Sequence, residues 1–258
     1  MNIFLLIVGL ILCAIAIFLL FKYHALKSDI RAMNATETSA IADLRAMQSD
    51  IAREMGRAGT WREQVEVKGI VTCSRPLKAE LSEIPCVYYH SLIEEEYERT
   101  DYDTDSDGDT HIREVRGTKT ISKNQNRVNF YLEDESDKIF VNLAGAEIDA
   151  LTVVNGFESC YDEIHDDYRI LGYQHTEKII ELDSEVYILG EVKDTDGRLQ
   201  IGASGDRQKP FIISYKSEEE LLHSKKSQGQ QRLFWGIGLL TVGCIVVTLA
   251  LLGILVWS

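Results

Sequence analysis

Hydrophobic and polar positions divide this chain into five stretches. Ile3–Phe21 runs for nineteen residues without a charge, Leu233–Trp257 for twenty-five, and every charged side chain lies between them. Nineteen residues at a helical rise of about 1.5 Å cover about 28 Å, close to the roughly 30 Å of a bilayer's hydrocarbon core. Both stretches are therefore predicted transmembrane helices, at 3–21 and 233–257. A cleaved signal peptide fits the first poorly. Met1 and Asn2 offer no basic side chain, the run exceeds a normal signal core, and no A-x-A site follows. Trp235 and Trp257 stand near the ends of the second stretch, where indole rings favour the interface. Gly9, Gly236, Gly238, Gly243 and Gly253 form no clean GxxxG, so they do not specify a dimer, and a homo-oligomer through the spans is left open.

Between the spans the period changes twice. Leu26, Ile30 and Met33, then Ile41, Leu44, Met47 and Ile51, recur at helical spacing, with Asn34–Glu37 as a break and fresh N-cap. Residues 22–59 are read as a juxtamembrane helical stalk. After Trp61 the pattern becomes that of strands: Val65–Val71 alternates, and Cys86–Ile93 is rich in β-formers. Val128–Leu132, Lys138–Leu143, Tyr168–Gly172, Lys178–Leu182, Val186–Val192, Leu199–Gly202 and Phe211–Tyr215 continue it. Asp194–Gly197 reads as a hairpin turn, and Ser217–Glu220 as a capping box that opens a short helix at 217–232. The fold class is an α+β membrane protein: two transmembrane helices flanking one β-rich domain, 60–216, with a juxtamembrane helical stalk.

Charge sharpens this picture. The net charge of -14 falls wholly on the middle segment, which excludes a nucleic-acid binder because no Lys/Arg stripe is there to meet phosphates. Three cysteines outside the apolar ends, Cys73, Cys86 and Cys160, do not make a secreted disulfide scaffold, and three Pro do not suit a disordered chain. Lys22, Lys27 and Arg31 follow the first span; Lys225, Lys226 and Arg232 precede the second. The outer flanks carry no basic side chain. An integral membrane protein is expected whose domain faces the cytoplasm and whose termini lie outside.

Candidate chemistry is sparse. Asp103, Asp105, Asp107, Asp109 and Glu114 satisfy D-x-D-x-D-G-x5-E, the oxygen-ligand loop of an EF-hand for Ca²⁺. Flanking helices are missing, and the eighth position holds Thr110 in place of an apolar residue. Nine acids and one base crowd the sixteen residues Glu94–Asp109, so spaced aspartates arise easily there. The favoured reading is a mobile, solvated acidic hairpin loop over Glu94–Glu114, with no cofactor. Ca²⁺ held by those five residues is the alternative. Cys160 and His165 with their acidic neighbours lack metal-ligand spacing, and Cys86 sits in an apolar strand. No nucleophile elbow, P-loop or dinucleotide fingerprint occurs, so no catalytic residue is assigned.

Several spaced motifs are nonetheless familiar. Trp61–Gly69, Pro76–Ser82 and Pro85–Tyr89 follow the first span, and Val186–Glu191, Pro210–Leu221 and Arg232 lead into the second. Their order resembles the GIDE-type, or "beside a membrane" (BAM), domain of the mitochondrial E3 ubiquitin ligases and their prokaryotic relatives. The resemblance implies a ligase-type role, but the zinc-binding RING that would recruit the conjugating enzyme needs eight close-set Cys/His ligands. The chain stops at Ser258 without them, so no ligase or zinc residue carries over. In the mitochondrial members the domain faces the intermembrane space, against the cytoplasmic bias here. The expected function is a membrane-anchored scaffold or sensor, in contact with the lipid bilayer, whose β-rich domain binds a protein or ligand beside the membrane. The alternative is an E3 ligase-family component acting with a partner that supplies the RING.

Overall fold

The structure is a computed structural model and describes residues 2–56, 61–104, 110–160, 164–165, 168–195, 197–206 and 208–256. Its helices are α1 (Asn2–Ala35), α2 (Ile41–Met55) and α3 (Glu218–Val256). The strands are β1 (Arg62–Thr72), β2 (Leu77–Lys78), β3 (Pro85–Thr104), β4 (Thr110–Arg127), β5 (Phe130–Glu133), β6 (Lys138–Val141), β7 (Glu147–Asp149), β8 (Leu151–Ser159), β9 (Ile164–His165), β10 (Tyr168–Glu181), β11 (Glu185–Thr195), β12 (Arg198–Gly202) and β13 (Ile212–Ser214). Both terminal helices are long and apolar enough to cross a membrane. They exceed that need, because 34 and 39 residues span about 51 and 58 Å. About 20 Å of each therefore continues beyond its apolar stretch as a paired stem. The short helix expected at 217–232 is the first part of α3. Its N-cap is Ser217, whose hydroxyl accepts the Glu220 N–H at 3.3 Å.

The two long helices pack against each other through small side chains. A Cβ on Gly243 would stand 2.8 Å from Cys13 Sγ, and one on Gly9 would stand 2.7 Å from Val247. Gly236 faces Leu20 and the Ala16 carbonyl, and Gly229 faces Leu26 and Tyr23. Gly229, Gly236, Gly243 and buried Ala250 recur every seven residues, as do Gly9 and buried Ala16 on α1. A strict seven-residue repeat keeps one seam facing its partner, and small residues let two backbones approach where lipid gives no hydrophobic drive. The glycines thus serve a contact within the chain.

The domain between the spans has two sheets. In the first, β1–β5–β6–β12–β11 are neighbours in that order, and β1 pairs again with β11, closing five strands into a ring. Alternate residues point inward: Val65, Val67 and Val71; Phe130 and Leu132; Ile139 and Val141; Val186, Ile188 and Val192; Leu199 and Ile201. At the inward position of Gly190 a Cβ would stand 2.7 Å from Phe211 and 2.9 Å from Ile201, so only glycine allows that closeness. The predicted 194–197 turn joins β11 to β12, with Gly197 at φ +79 and its N–H given to Asp194 Oδ1 at 2.9 Å. Outside the ring, β13 pairs with β11 and carries β7 in parallel.

The second sheet is antiparallel, with β3 between β4 and β10, and β8 beyond β10. The two strands expected at 168–172 and 178–182 are one, β10, with a register shift between Ile170 and Gly172. The mobile loop expected over Glu94–Glu114 is corrected. The β3–β4 ladder runs from Tyr88↔Arg127 to Thr104↔Thr110, which leaves 105–109 outside the described residues. The reason is charge on the facing strand: Arg113 lies opposite Asp101, Arg116 opposite Glu98 and Lys119 opposite Glu95. Arg116 Nε meets Glu98 at 2.9 Å. Bases twelve to twenty-four residues away relieve the repulsion that a local count of acids implies.

The helical segment after the first span is present, but its second piece does not stand free. Ile41 and Leu44 of α2 are buried in the main core beside the ring. Ala40 offers no side-chain cap, and the cap comes from the β5–β6 turn: Ile41 N donates to Asp134 Oδ2 at 2.8 Å and Ala42 N to Ser136 Oγ at 3.0 Å. Arg45 adds an ion pair to Asp137 and donates to the Lys138 carbonyl at 2.6 Å. Partial burial would raise the Asp134 carboxyl, but hydrogen bonds from Ser136, Ile41 and Asp137 outweigh it and hold it below the usual carboxylate range. Asp134→Ala should cost about 1–2 kcal/mol of domain stability and speed amide exchange selectively in 41–55. Unchanged exchange there would refute the remote cap.

Glu177 is fully buried on β10 and accepts the N–H groups of Leu81 and Ser82 at 2.8 and 2.7 Å, pinning the turn before β3. Burial pushes its pKa up, yet the hydrogen bonds from Ser82 and the 80–82 backbone prevail and hold it down. A lowered folded pKa stabilises above the unfolded value of 4.5 and loses that stability as pH falls through the folded one. Thermal unfolding should therefore show acid destabilisation below about pH 4.5, and Glu177→Gln should flatten that slope while lowering stability at pH 7.

Candidate functional site

The functional candidate lies where the helical stem meets the domain. On α1, Phe18, Lys22, Leu26 and Asp29 follow one another at three- and four-residue steps and share a face. On α3, Leu221, Lys225, Gln228 and Arg232 do the same. The third wall is β7, which parallel pairing with β13 sets with Glu147 opposite Ile212 and Asp149 opposite Ser214. Glu147 and Asp149 therefore share a face of the strand, while Ile148 packs against the core. Together these walls enclose a cleft of ≈ 610 Å³.

Ion pairs organise the domain side of this cleft. Lys225, only 5% exposed, gives hydrogen bonds to Asp29 Oδ2 at 2.9 Å and to Glu147 Oε1 at 3.0 Å, tying α3, α1 and β7 together. Lys216 meets Asp149 Oδ2 at 2.9 Å, and the Ser214 hydroxyl donates to the same oxygen at 3.2 Å. Burial would lower the Lys216 ammonium, but Asp149, Tyr215 and Glu220 outweigh it and raise its pKa, so it stays charged at neutral pH. The end of the cleft beside the apolar stretches differs. Lys22 stands 5.7 Å from the centre of the Phe18 ring, and Arg232 donates to Gln228 Oε1 at 3.5 Å. Among the described residues neither has a carboxylate partner.

A second lock lies on the outer face of β1 and β11. Buried Glu66 accepts the Thr38 hydroxyl at 2.5 Å and the Tyr187 hydroxyl at 2.9 Å, and Lys68 lies 3.5 Å away. Lys68 also reaches Glu218 at 3.0 Å, and Thr38 forms a parallel bridge with Glu66. Burial, and then Glu66, push the Tyr187 phenol well above its ordinary range, so it remains a donor. Met33, Leu221, Tyr187, Leu189 and Ile212 seal this contact with apolar surface. The α1–α2 junction, the ring and the start of α3 are thereby joined by hydrogen bonds, charge and packing at once.

The residues singled out from the sequence lie elsewhere. Asp105, Asp107 and Asp109 fall outside the described residues; Asp103 is placed opposite His111 in the ladder, and Glu114 is exposed opposite Thr100. Strands flank them on both sides. Cys86 is buried, and burial, followed by Glu177, pushes its thiol up to about 11, so it is not a ready thiolate. Among the described residues no group of three His, Cys, Asp or Glu is arranged for a metal ion. In the sequence, Lys22, Lys225 and Arg232 signal topology alone. Their shared cleft depends on β7, a three-residue strand with no distinct pattern of its own.

The junction should fail in a specific way when its central cation is removed. Lys225→Met leaves Asp29 and Glu147 facing each other without a counter-charge. The loss of a buried partner costs about 3–5 kcal/mol, and the wetter Glu147 places this site at or below the low end. Limited proteolysis should cut the stem–domain junction faster in Lys225→Met, and Asp29→Asn in the same chain should restore part of the protection.

Residues 98–249 match the family model GIDE, described as E3 ubiquitin ligase. The match runs from the outer third of β3 through Lys216 and Lys225 of the cleft and most of α3. No curated protein and no solved structure matches the chain.

Proposed function

This chain belongs to the GIDE family, and from that premise we propose a membrane-anchored scaffold or sensor whose β-rich domain binds a protein beside the bilayer. The observation that carries this reading is the double lock at the stem. Lys225 with Asp29 and Glu147, and Glu66 with Thr38 and Tyr187, tie the domain to both long helices. A domain so tied presents the same surfaces to every partner that reaches the membrane. The long β3–β4 hairpin is the surface best placed for that role. Beyond Arg99, where pairing with β10 ends, it continues as a two-stranded ribbon with Tyr102 opposite Ile112, 57% and 70% exposed.

The family description favours a second reading: a component of ubiquitin-type transfer that depends on a partner for the RING. The two differ in what the chain does alone. In the scaffold reading, purified full-length protein with activating and conjugating enzymes forms no ubiquitin chains, and a photo-crosslinker at Ile112 captures a partner in cells. Transfer by the purified chain defeats the scaffold reading, and a RING protein among the captured partners supports the second.

Membrane insertion and orientation belong to the same proposal. Alkaline carbonate should leave the protein in the membrane pellet. The basic residues at both stem ends favour a cytoplasmic domain. A cysteine introduced at exposed Arg198 in a chain without its native cysteines should then resist an impermeant thiol reagent in intact cells and react after lysis. Labelling of intact cells would reverse the orientation.

A further inference from the structure

Charge along the cleft is ordered with respect to the membrane. Lys22 is the first residue after one apolar stretch and Arg232 the last before the other, and the antiparallel helices bring both to the same boundary. On the bilayer side stand Phe18 and Leu19. On the domain side Asp29, Glu147 and Asp149 face two ammonium groups, Lys216 and Lys225. Moving out of the hydrocarbon, a ligand meets apolar surface, then two cations without carboxylate partners among the described residues, then an excess of carboxylate. Glu147 is 64% exposed even while it meets Lys225, so part of that negative charge faces open space.

This sequence is the complement of a zwitterionic glycerophospholipid: acyl chains, a phosphate near the glycerol, an ammonium farthest out. A primary ammonium can donate hydrogen bonds to carboxylates, and a quaternary choline cannot. An anionic headgroup ending in hydroxyls satisfies Lys22 and Arg232 but places no positive charge against Glu147 and Asp149. We propose that the stem–domain cleft is a binding site for phosphatidylethanolamine, its phosphate between Lys22 and Arg232 and its ammonium at Glu147 and Asp149. The proposal rests on the reading of α1 and α3 as membrane spans. It adds a lipid to the third wall of the stem–domain junction, so the lipid would reinforce the pose of the domain.

The test uses the full-length protein in nanodiscs of equal parts phosphatidylethanolamine, phosphatidylcholine and phosphatidylglycerol. After transfer to mild detergent, retained lipid is counted by native mass spectrometry. Phosphatidylethanolamine should be retained several-fold over both others. Lys22→Ala with Arg232→Ala should reduce retention to the bulk lipid ratio, and Glu147→Gln with Asp149→Asn should erase the preference over phosphatidylglycerol. Free phosphoethanolamine should leave the retained lipid in place. Equal retention of the three lipids, enrichment of phosphatidylglycerol, or displacement by free phosphoethanolamine overturns the proposal. If a variant unfolds, the wild-type preference alone decides. Release by carbonate would sink the span reading itself, whereas a carbonate-resistant protein without lipid preference sinks only the lipid site.

Discussion

Close approach of α1 and α3 is the constraint on which the other features depend. Between two helices in lipid there is little hydrophobic drive, so contact depends on how near the backbones can come. Gly229, Gly236, Gly243 and Ala250 on one helix, with Gly9 and Ala16 on the other, remove the side chains that would hold them apart. Because the seam extends to Gly229, outside the apolar stretch, the helices leave that stretch already paired. Lys225 and Asp29 are then within reach of one another, and Glu147 completes the bridge to the domain. Without the seam, the stem would be two separate tethers.

The domain answers that constraint from its own side. A five-stranded ring is too small to bury much surface alone, and it recruits helices to cover both its core and its outer face. Ile41 and Leu44 join the core; Met33 and Leu221 cover Tyr187, Leu189 and Ile212 outside. Buried Glu66 is tolerated there because its two oxygens are met by Thr38, Tyr187 and Lys68. Glu177 plays the same part in the second sheet through backbone N–H groups. Both of these buried carboxylates sit where one segment is fixed to another.

Much of this was legible in the sequence, for physical reasons. Long uncharged runs and two-residue alternation are strong local signals, and they mark the ring strands β1, β5, β6, β11 and β12 to within about three residues of their ends. The 194–197 turn and the Ser217 cap carry their chemistry in four residues. What was missed depends on distant partners. The acids of Glu94–Asp109 look repulsive until Arg113, Arg116 and Lys119 are placed across the ladder. The cap of α2 is Asp134, ninety-three residues away. The seven-residue repeat of small side chains contains no four-residue glycine motif, so it gains meaning only when the partner helix is set against it. The site was least legible of all: Lys22, Lys225 and Arg232 are scattered in the sequence, and only β7 and the helix pairing bring them to a common cleft.

The double lock gives the domain one fixed pose on its helical stem. The most direct test is a distance distribution by double electron–electron resonance, with spin labels at exposed Arg198 on the ring and exposed Lys226 on α3, in protein embedded in bilayers. A fixed pose gives a single narrow distance that broadens when Lys225 and Glu66 are both replaced. A broad or multi-peaked distribution in the wild-type chain would contradict it, and would make the domain a tethered body free to tumble above the membrane.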